Sequence, residues 1–547
     1  MKLTNLPQVR NLREVLQEVL RRWYPQRTQQ VGLLLVILLG LTLRLYDLGR
    51  GTVWADEAAE YWVASASTGE VFQAVSEEIH DPPLYSFILH FWMSGGITGG
   101  YLRLPSVIFS MLTLFGVMAA AYQLNGAWSS LLAGLLLAVS PVDIRYAQEI
   151  GQYSLYACLG IWSANCFLLL QKAQADWKAH AAWLASSLGA VYSHYGAVFP
   201  IAAMFLVEAW MSISGRSWKR LKQLAIAAFV LLVGILPLLL FILPIQLTWV
   251  HLPGFSSLSL TTPVKFLLDL LVLLSHTFSF LYSAWPYTHI PEWLPNLLAA
   301  CTIAIPLLLF KRISRAMRLW TAWLLVSICI YLPVVHVGLF PPGFRQSMFL
   351  LVALIPLMAA ICLHLKDSRP TGPVVAVLLT GTYLAISLVN LPNISLRNLI
   401  YLQEEWTWPE TNYEIRPTID YWWQQRESNE PIYVYYGGNR VFRYYLRVLD
   451  RENTWLPYNW NRDEKYHRAT QPLNVAYGKW LRERPAEELS GDVLEALPAE
   501  AGAFWILFVH VHGNEDEQMM EGLLKTYEVD DQKEARGSTL YHLMPRQ

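Results

Sequence analysis

Long apolar runs separated by short polar loops fill this 547-residue chain as far as residue 391. A helix that crosses a membrane needs roughly 20 mainly apolar residues, and about 11 of the runs approach that length. They lie near residues 31–48, 103–122, 127–141, 153–171, 179–193, 197–213, 224–243, 294–310, 319–337, 346–364 and 372–391. The pattern predicts a polytopic α-helical membrane protein with about 11 transmembrane helices.

The basic residues between the runs set the orientation of the predicted helices. Residues 1–30 are polar and basic, so the positive-inside rule makes this end cytoplasmic. The later basic clusters fall on the same side only if the apolar stretch 263–284 does not span. We therefore interpret this stretch, which contains Asp269 and His276, as a surface-lying or re-entrant helix. The clusters are Arg216, Lys219, Arg220 and Lys222; Lys311, Arg312, Arg315 and Arg318; and Lys366 with Arg369.

Composition adds little beyond the membrane class. The first apolar run begins near Val31, too late for a signal peptide, and no small-residue cleavage site follows it. It is therefore predicted to be a retained first span in the plasma (inner) membrane. The five cysteines lie in apolar segments without metal-ligand spacing, which indicates small buried hydrophobic residues. A net charge of −1 does not indicate nucleic-acid binding.

The composition changes after residue 391, where polar and charged residues become frequent. Apolar strands are predicted at 431–436 and 504–510, and each is followed by a helix, at 440–449 and 516–527. Strand–helix alternation of this kind predicts a small soluble α/β domain over 392–547, on the outer side. We expect it to contain no catalytic residue. A further helix is predicted at 418–426 and a last strand at 540–543.

Two adjacent carboxylates, Asp56 and Glu57, follow the first span directly and open the outer loop 49–102. Acids near lipid are costly to hold, so this pair calls for an explanation. One interpretation is a helix cap, because an acid at a helix N-terminus is favoured by the helix dipole. The other is a catalytic base that faces a lipid-borne substrate. The same loop ends with His80 and Asp81; Asp81 resembles an N-cap, which leaves His80 to contact a phosphate or an acceptor.

The outer loop 141–152 has more polar residues than a turn needs. Arg145 suits a phosphate leaving group because of its fixed fork of donors, although snorkelling at the membrane interface explains it equally well. The same two interpretations apply to Arg345, which begins the tenth span. Gln148 and Glu149 complete this polar set.

The order of these motifs resembles the bacterial branch of the GT-C glycosyltransferases, which includes protein O-mannosyltransferases and lipid A aminoarabinose transferases. The motifs are W-A-D-E, H-D-P-P-L-Y, R-L-P-S and S-P-V-D-I-R-Y-A-Q-E-I-G-Q-Y. The resemblance covers residues 30–365. It implies a GT-C-like transmembrane domain over 31–391, a polyprenyl-phosphate-linked sugar donor and an inverting transfer outside the membrane.

The resemblance also implies roles for individual residues. Asp56 would be the general base, with Glu57 beside it. Substrate-binding residues would be His80, Arg145, Gln148, Glu149, Tyr153 and Arg345. The chain departs from the family at Gly151, where an arginine is usual, and Arg145 would have to replace its charge.

Two other functions stay open: a lipid or saccharide transporter or flippase, and a non-catalytic GT-C-like binding protein. Transporters place ionisable residues near the middle of the bilayer, and Glu208 is the main charge inside a predicted span here. The binding protein is favoured by Gly151. The acceptor (lipid, glycan or protein) is unassigned. A divalent metal ion would be held by Asp56, Glu57, His80 and Glu149 only if these side chains converge.

The predicted topology can be tested with reporter fusions after Arg220, after Pro291 and at Gln547. We expect a cytoplasmic signal after Arg220 and external signals at the other two positions, because 263–284 is predicted not to span. A cytoplasmic signal at Gln547 would contradict the span count.

Overall fold

The structure is a computed structural model. It describes Glu18 and residues 21–79, 81–171, 177–249, 263–283, 290–337, 339–340, 344–367, 371–395, 414–428, 430–449, 474–478, 486–497, 502–511 and 513–546. The chain divides into two compact units. The helical unit comprises Met1–Leu48, His80–Tyr85 and Arg103–Leu402, and the sheet unit comprises Gly49–Ile79, Ser86–Leu102 and Gln403–Gln547.

Helices account for nearly all of the described chain up to residue 395. They are α1 Arg27–Leu45, α2 Ala55–Ala64, α3 Val71–Glu78, α4 Leu84–Trp92, α5 Gly99–Ala138, α6 Pro141–Ala147, α7 Tyr153–Leu170, α8 Trp177–Ser193, α9 Val198–Ser214, α10 Trp218–Pro237, α11 Leu243–Trp249, α12 Pro263–Ser283, α13 Trp293–Leu308, α14 Arg315–His336, α15 Met348–Lys366 and α16 Gly372–Ser395.

Eight of the described helical segments are long and apolar enough to cross a membrane. One of them, α5, contains two predicted spans, because non-helical backbone at Asn125 and Gly126 interrupts it. Gly126 has φ +82°, a conformation that glycine adopts without strain. The remaining two predicted spans fall on α8 and α13, which have 17 and 16 residues. Every predicted span therefore coincides with a helix, and the chain is an integral membrane protein.

The helical unit is built around α15, whose residues are almost all buried. It packs against α7, α13, α14 and α16. By contrast, α10 exposes large apolar side chains such as Phe229, Val230 and Val233, as a lipid-facing helix would. The stretch 263–284 forms α12, which exposes Leu267 and Leu271 while Leu281 and Tyr282 are buried. Its surface-lying or re-entrant placement stays a prediction.

The sheet unit contains the expected α/β domain. Its elements after residue 413 are α17 Arg416–Gln425, β1 Ile432–Val434, α18 Asn439–Leu449, β2 Val475–Tyr477, α19 Ala486–Ala496, β3 Phe504–Val509, α20 Glu515–Leu523, β4 Tyr527–Ala535 and β5 Ser538–Pro545. The five strands lie in the order β2-β1-β3-β5-β4. The two predicted apolar strands correspond to β1 and β3, which are parallel neighbours, with Ile432 opposite Trp505.

Strands β2 and β4 were not predicted. β2 has only three residues, too few to give a periodic signal. The sequence of β4, YEVDDQKEA, is mostly charged and belongs to an edge strand. Charged residues protect an edge from further pairing, but they also remove the apolar alternation that identifies a strand. The helix predicted at 516–527 ends at Leu523, because β4 begins at Tyr527.

Gly49–Ile79 and Ser86–Leu102, from the first predicted outer loop, pack with the C-terminal domain in one unit. The backbone N–H of Val53 donates to the hydroxyl of Tyr445 at 2.8 Å, and the indole of Trp62 donates to the carbonyl of Arg440 at 3.0 Å. The rings of Tyr61 and Tyr444 meet edge to face, 5.0 Å apart. Helix α2 is therefore held against α18.

A buried ion pair closes the end of α1 inside the helical unit. Arg44 has no exposed surface, and its guanidinium lies 2.5 Å from the carboxylate of Asp143 on α6. It also donates to Ser110 and to the carbonyls of Gly40, Leu137 and Ala138. The pair joins α1, α5 and α6.

Removing one partner of this pair should destabilise the protein. Asp143→Ala leaves Arg44 charged and buried, and we expect a loss of about 3–5 kcal/mol in the free energy of unfolding. The double variant Arg44→Met/Asp143→Leu should recover most of that loss, since no charge remains to be compensated. Thermal unfolding in detergent measures both, with the exposed Asp367→Ala as the control. An additive loss in the double variant would contradict the coupling.

Candidate functional site

The two adjacent carboxylates of the sheet unit have different surroundings. Glu57 is buried, 1% exposed, and its carboxylate accepts the backbone N–H of Trp54 at 3.3 Å. Asp56, one residue earlier in the first turn of α2, is exposed. Glu57 thus caps the helix, and Asp56 presents its carboxylate at the surface of the unit.

Helix α2 is fixed on its buried side by further polar contacts. Glu60, 5% exposed, accepts the hydroxyl of Ser86 at 3.0 Å. Burial raises the pKa of Tyr61, and the positive charge of Arg447 opposes that shift. The guanidinium of Arg447 lies 5.7 Å from the centre of the Tyr61 ring. These contacts hold in place the helix that carries the exposed Asp56.

Gln148 in the helical unit serves the end of the first span. Its side-chain amide donates to the carbonyls of Leu43, Arg44 and Tyr46, at 3.3, 3.2 and 2.8 Å. The last carbonyls of a helix have no partner within the helix, so Gln148 satisfies them. Gln148, which was expected to bind substrate, therefore caps the C-terminus of α1.

Glu149 and Tyr153 lie on either side of Gly151. A Cβ added at Gly151 would lie 3.6 Å from a carboxylate oxygen of Glu149 and 3.8 Å from the ring of Tyr153. Both distances are ordinary van der Waals contacts, and Gly151 does not have a left-handed backbone. The backbone and its immediate surroundings therefore accept a Cβ at this position, where the family resemblance expects an arginine.

Arg345 reaches the same tyrosine from a turn of 3₁₀-helix at Phe344–Ser347. Its guanidinium carbon is 5.5 Å from the centre of the Tyr153 ring. The Tyr153 ring also lies 5.7 Å from that of His194. The structure thus brings together Tyr153 and Arg345, two of the predicted substrate-binding residues, with His194 beside them.

His194 is buried and is held in one protonation state. Its Nδ1 accepts the backbone N–H of Gly196 at 2.9 Å, so the ring proton lies on Nε2. Burial lowers the pKa of His194 from 6.5 to about 3, and the charge of Arg345 adds to this shift. The ring is therefore neutral at pH 7. Its Nε2 faces the carboxylate of Asp81 at 3.7 Å, too long for a hydrogen bond and without an ionic contribution at that pH.

Arg145 is half-buried, and its guanidinium carbon lies 5.8 Å from the centre of the Tyr146 ring. His80 lies outside the described residues. The described part of the chain contains no group of three or more His, Cys, Asp or Glu side chains that would hold a metal ion.

Sequence reasoning did not select Asp81, His194 and Asp143 as site residues. A lone histidine at a helix end, such as His194, gives no local signal of function. The charge of Arg345 acts on His194 from a position far away in the chain, and no local sequence pattern reveals this interaction. For Asp143 and Arg44, a signal was available: two opposite charges bordering apolar runs.

Comparison with known proteins defines the class of fold. No protein-family model and no curated protein sequence matches the chain. Among solved structures, ArnT from Cupriavidus metallidurans in the apo state is similar with a TM-score of 0.53 and 14% identity. The similarity covers 93% of this chain and 97% of that one. The chain therefore has the GT-C fold, as the sequence resemblance predicts.

Two further solved structures are similar. ArnT from the same organism, bound to undecaprenyl phosphate, has a TM-score of 0.53 and 13% identity over the same shares of both chains. The oligosaccharyltransferase AglB from Archaeoglobus fulgidus, with an inhibitory peptide and a dolichol-phosphate, has a TM-score of 0.46 and 12% identity. That similarity covers 77% of this chain and 64% of AglB.

The environment of His194 gives a pH-dependent stability. Its pKa is lowered in the folded protein, so its contribution is complete above pH 6.5 and is lost as pH falls towards 3. The expected slope is about 1.4 kcal/mol per pH unit. His194→Asn, which keeps an acceptor for Gly196, should remove this slope between pH 6.5 and 5.

Thermal unfolding in detergent at several pH values measures the slope. His364→Asn makes the same exchange at a more exposed histidine outside this cluster and is the matched control. An unchanged slope in His194→Asn would contradict the assigned protonation state.

Proposed function

We propose that the protein is a membrane glycosyltransferase that moves a sugar from a polyprenyl-phosphate donor to an acceptor on the outer face of the membrane. The observation that carries the proposal is the fold, shared over almost the full length of both chains with ArnT, which has been solved with undecaprenyl phosphate. A donor with a prenyl tail stays in lipid, which explains a catalyst built into the membrane.

Asp56 is proposed as the general base. A base must reach the acceptor, and an exposed carboxylate on a rigid helix can do so, whereas the buried Glu57 is engaged by the backbone of Trp54. The carboxylate takes a proton from the acceptor hydroxyl or amine. At the same time, the oxygen or nitrogen of the acceptor attacks the anomeric carbon of the sugar. The bond from that carbon to the phosphate oxygen breaks, and the phosphate leaves with the electron pair. A single displacement of this kind inverts the anomeric centre.

The leaving phosphate needs positive charge, which arginines supply. Arg345 is one candidate, because it lies over Tyr153 and beside a histidine that stays neutral. Arg145 is the other, in place of the arginine absent at position 151. Glu149 and Tyr153 flank this region, and His80 remains a proposed contact to phosphate or acceptor.

The proposed arrangement in the cell is a plasma (inner) membrane protein with a cytoplasmic N-terminus. The C-terminal α/β domain would lie outside, where the acceptor is. A non-catalytic binding protein of the same fold is the second candidate, favoured by Gly151; it would bind the donor but not transfer the sugar.

Loss of the base should slow transfer without loss of donor binding. Asp56→Asn keeps the side-chain shape but cannot accept the proton, so transfer should fall by roughly 10²–10⁴-fold. Glu57→Gln should cost less, because its amide oxygen still caps Trp54. The assay is sugar transfer from a polyprenyl-phosphate sugar in proteoliposomes, with donor binding measured separately.

Helix α20 supplies a matched control for this experiment. Asp516 and Glu517 occupy the same first-turn positions of α20 as Asp56 and Glu57 do of α2, within the same unit. Asp516→Asn should leave transfer unchanged. Full activity in Asp56→Asn would remove the carboxylate mechanism, and a chain that binds donor but never transfers sugar would favour the binding protein.

The missing arginine can be tested in the same assay. Arg145→Ala should lower kcat/KM for the lipid-phosphate donor by roughly 10²–10³-fold, the usual effect of losing one group that stabilises developing negative charge. Adding Gly151→Arg should restore part of the loss if one charge serves both positions. An unaffected Arg145→Ala would leave Arg345 as the remaining arginine for the phosphate.

A further inference from the structure

A cavity of about 240 Å³ lies in the helical unit between the end of α7, the start of α8, the end of α9 and the start of α10. Its lining includes Leu170, His180, Glu208, Lys219, Arg220 and Gln223. Tyr153 and His194 lie at the opposite ends of α7 and α8. An 18-residue helix such as α7 is roughly 27 Å long, so the cavity is remote from those residues.

The polar side chains of the cavity form a connected network. Glu208 accepts the side-chain amide of Gln171 at 2.7 Å and the hydroxyl of Ser212 at 3.4 Å. The guanidinium of Arg220 lies 3.8 Å from the same Glu208 oxygen that accepts Ser212. Since Arg220 balances Glu208, Lys219 gives the described lining one net positive charge. The cavity is therefore suited to an anion that also carries hydrogen-bond donors.

Exposed tryptophan side chains lie at the helix ends around the cavity. Trp177 begins α8 and is 74% exposed, and Trp218 begins α10 and is 80% exposed. Trp210, near the end of α9, is 73% exposed. Exposed tryptophans at helix ends are typical of the membrane–water interface. Phe167 and Leu224 add apolar walls to the cavity. The helix ends around the cavity thus have the composition of a membrane–water interface.

We propose that this cavity binds the phosphate of an anionic phospholipid headgroup. Lys219 and Arg220 face the phosphate, and the carboxylate of Glu208 accepts a headgroup hydroxyl. Basic pockets between transmembrane helices are a known means of holding anionic headgroups. Free inorganic phosphate has the same anionic chemistry and is the alternative source of the ligand.

The test uses the full chain in detergent with phosphatidylcholine, to which phosphatidylglycerol or inorganic phosphate is added. Phosphatidylglycerol should raise Tm in a concentration-dependent way, because a ligand that binds the folded protein stabilises it. Lys219→Gln should weaken the apparent affinity roughly fivefold, the effect expected of one basic residue near an anionic headgroup. Lys219 is exposed, so this change does not disturb the network around Glu208.

Lys311→Gln is the matched control, since Lys311 is an exposed lysine in another basic loop. An unchanged response to phosphatidylglycerol in Lys219→Gln, or an equal loss in Lys311→Gln, would overturn the proposal. If inorganic phosphate alone gives the same Tm shift and Lys219→Gln weakens it, the site binds phosphate from solution. The readout needs no sugar transfer, so its result is independent of the proposed glycosyltransferase activity.

Discussion

A guanidinium in the interior of an apolar helix bundle must be neutralised where it lies, since moving an ion out of water costs several kcal/mol. Arg44 meets this requirement through Asp143 and through the carbonyls of α1 and α5. Gln148 then satisfies the carbonyls that α1 leaves open. The end of the first span is thereby fixed within the helical unit.

Neighbouring residues in and just after the predicted outer loop 141–152 consequently fall into two kinds. Asp143 and Gln148 are used by α1, while Glu149 and Tyr153 border the region of Arg345 and Gly151. A similar division separates Glu57 from Asp56. In both loops, one polar residue of an adjacent pair completes a helix end: Gln148 at the C-terminus of α1 and Glu57 at the N-terminus of α2.

The positions of the membrane helices could be predicted because an apolar run of sufficient length has few alternatives in lipid. The parallel pair β1 and β3 was also predictable, since both strands are apolar and precede helices. The charged edge strand β4 was not, because its stability comes from pairing with β5 rather than from its own pattern. Tyr153 and Arg345 were each predicted from the sequence as substrate-binding residues. Their proximity, and the position of His194 beside them, arise only from the packing of distant segments.

The packing of α2 against α18 has a consequence for synthesis of the protein. Val53 and its partner Tyr445 are 392 positions apart. At 5–20 residues per second, a ribosome needs roughly 20–80 s to make the intervening chain. During that interval Tyr61 and Trp62 have no partner from the tail to cover them. The nascent first loop must therefore wait until α18 has been made to complete its fold, and a chain that stops before α18 leaves this aromatic surface open to chaperones and proteases.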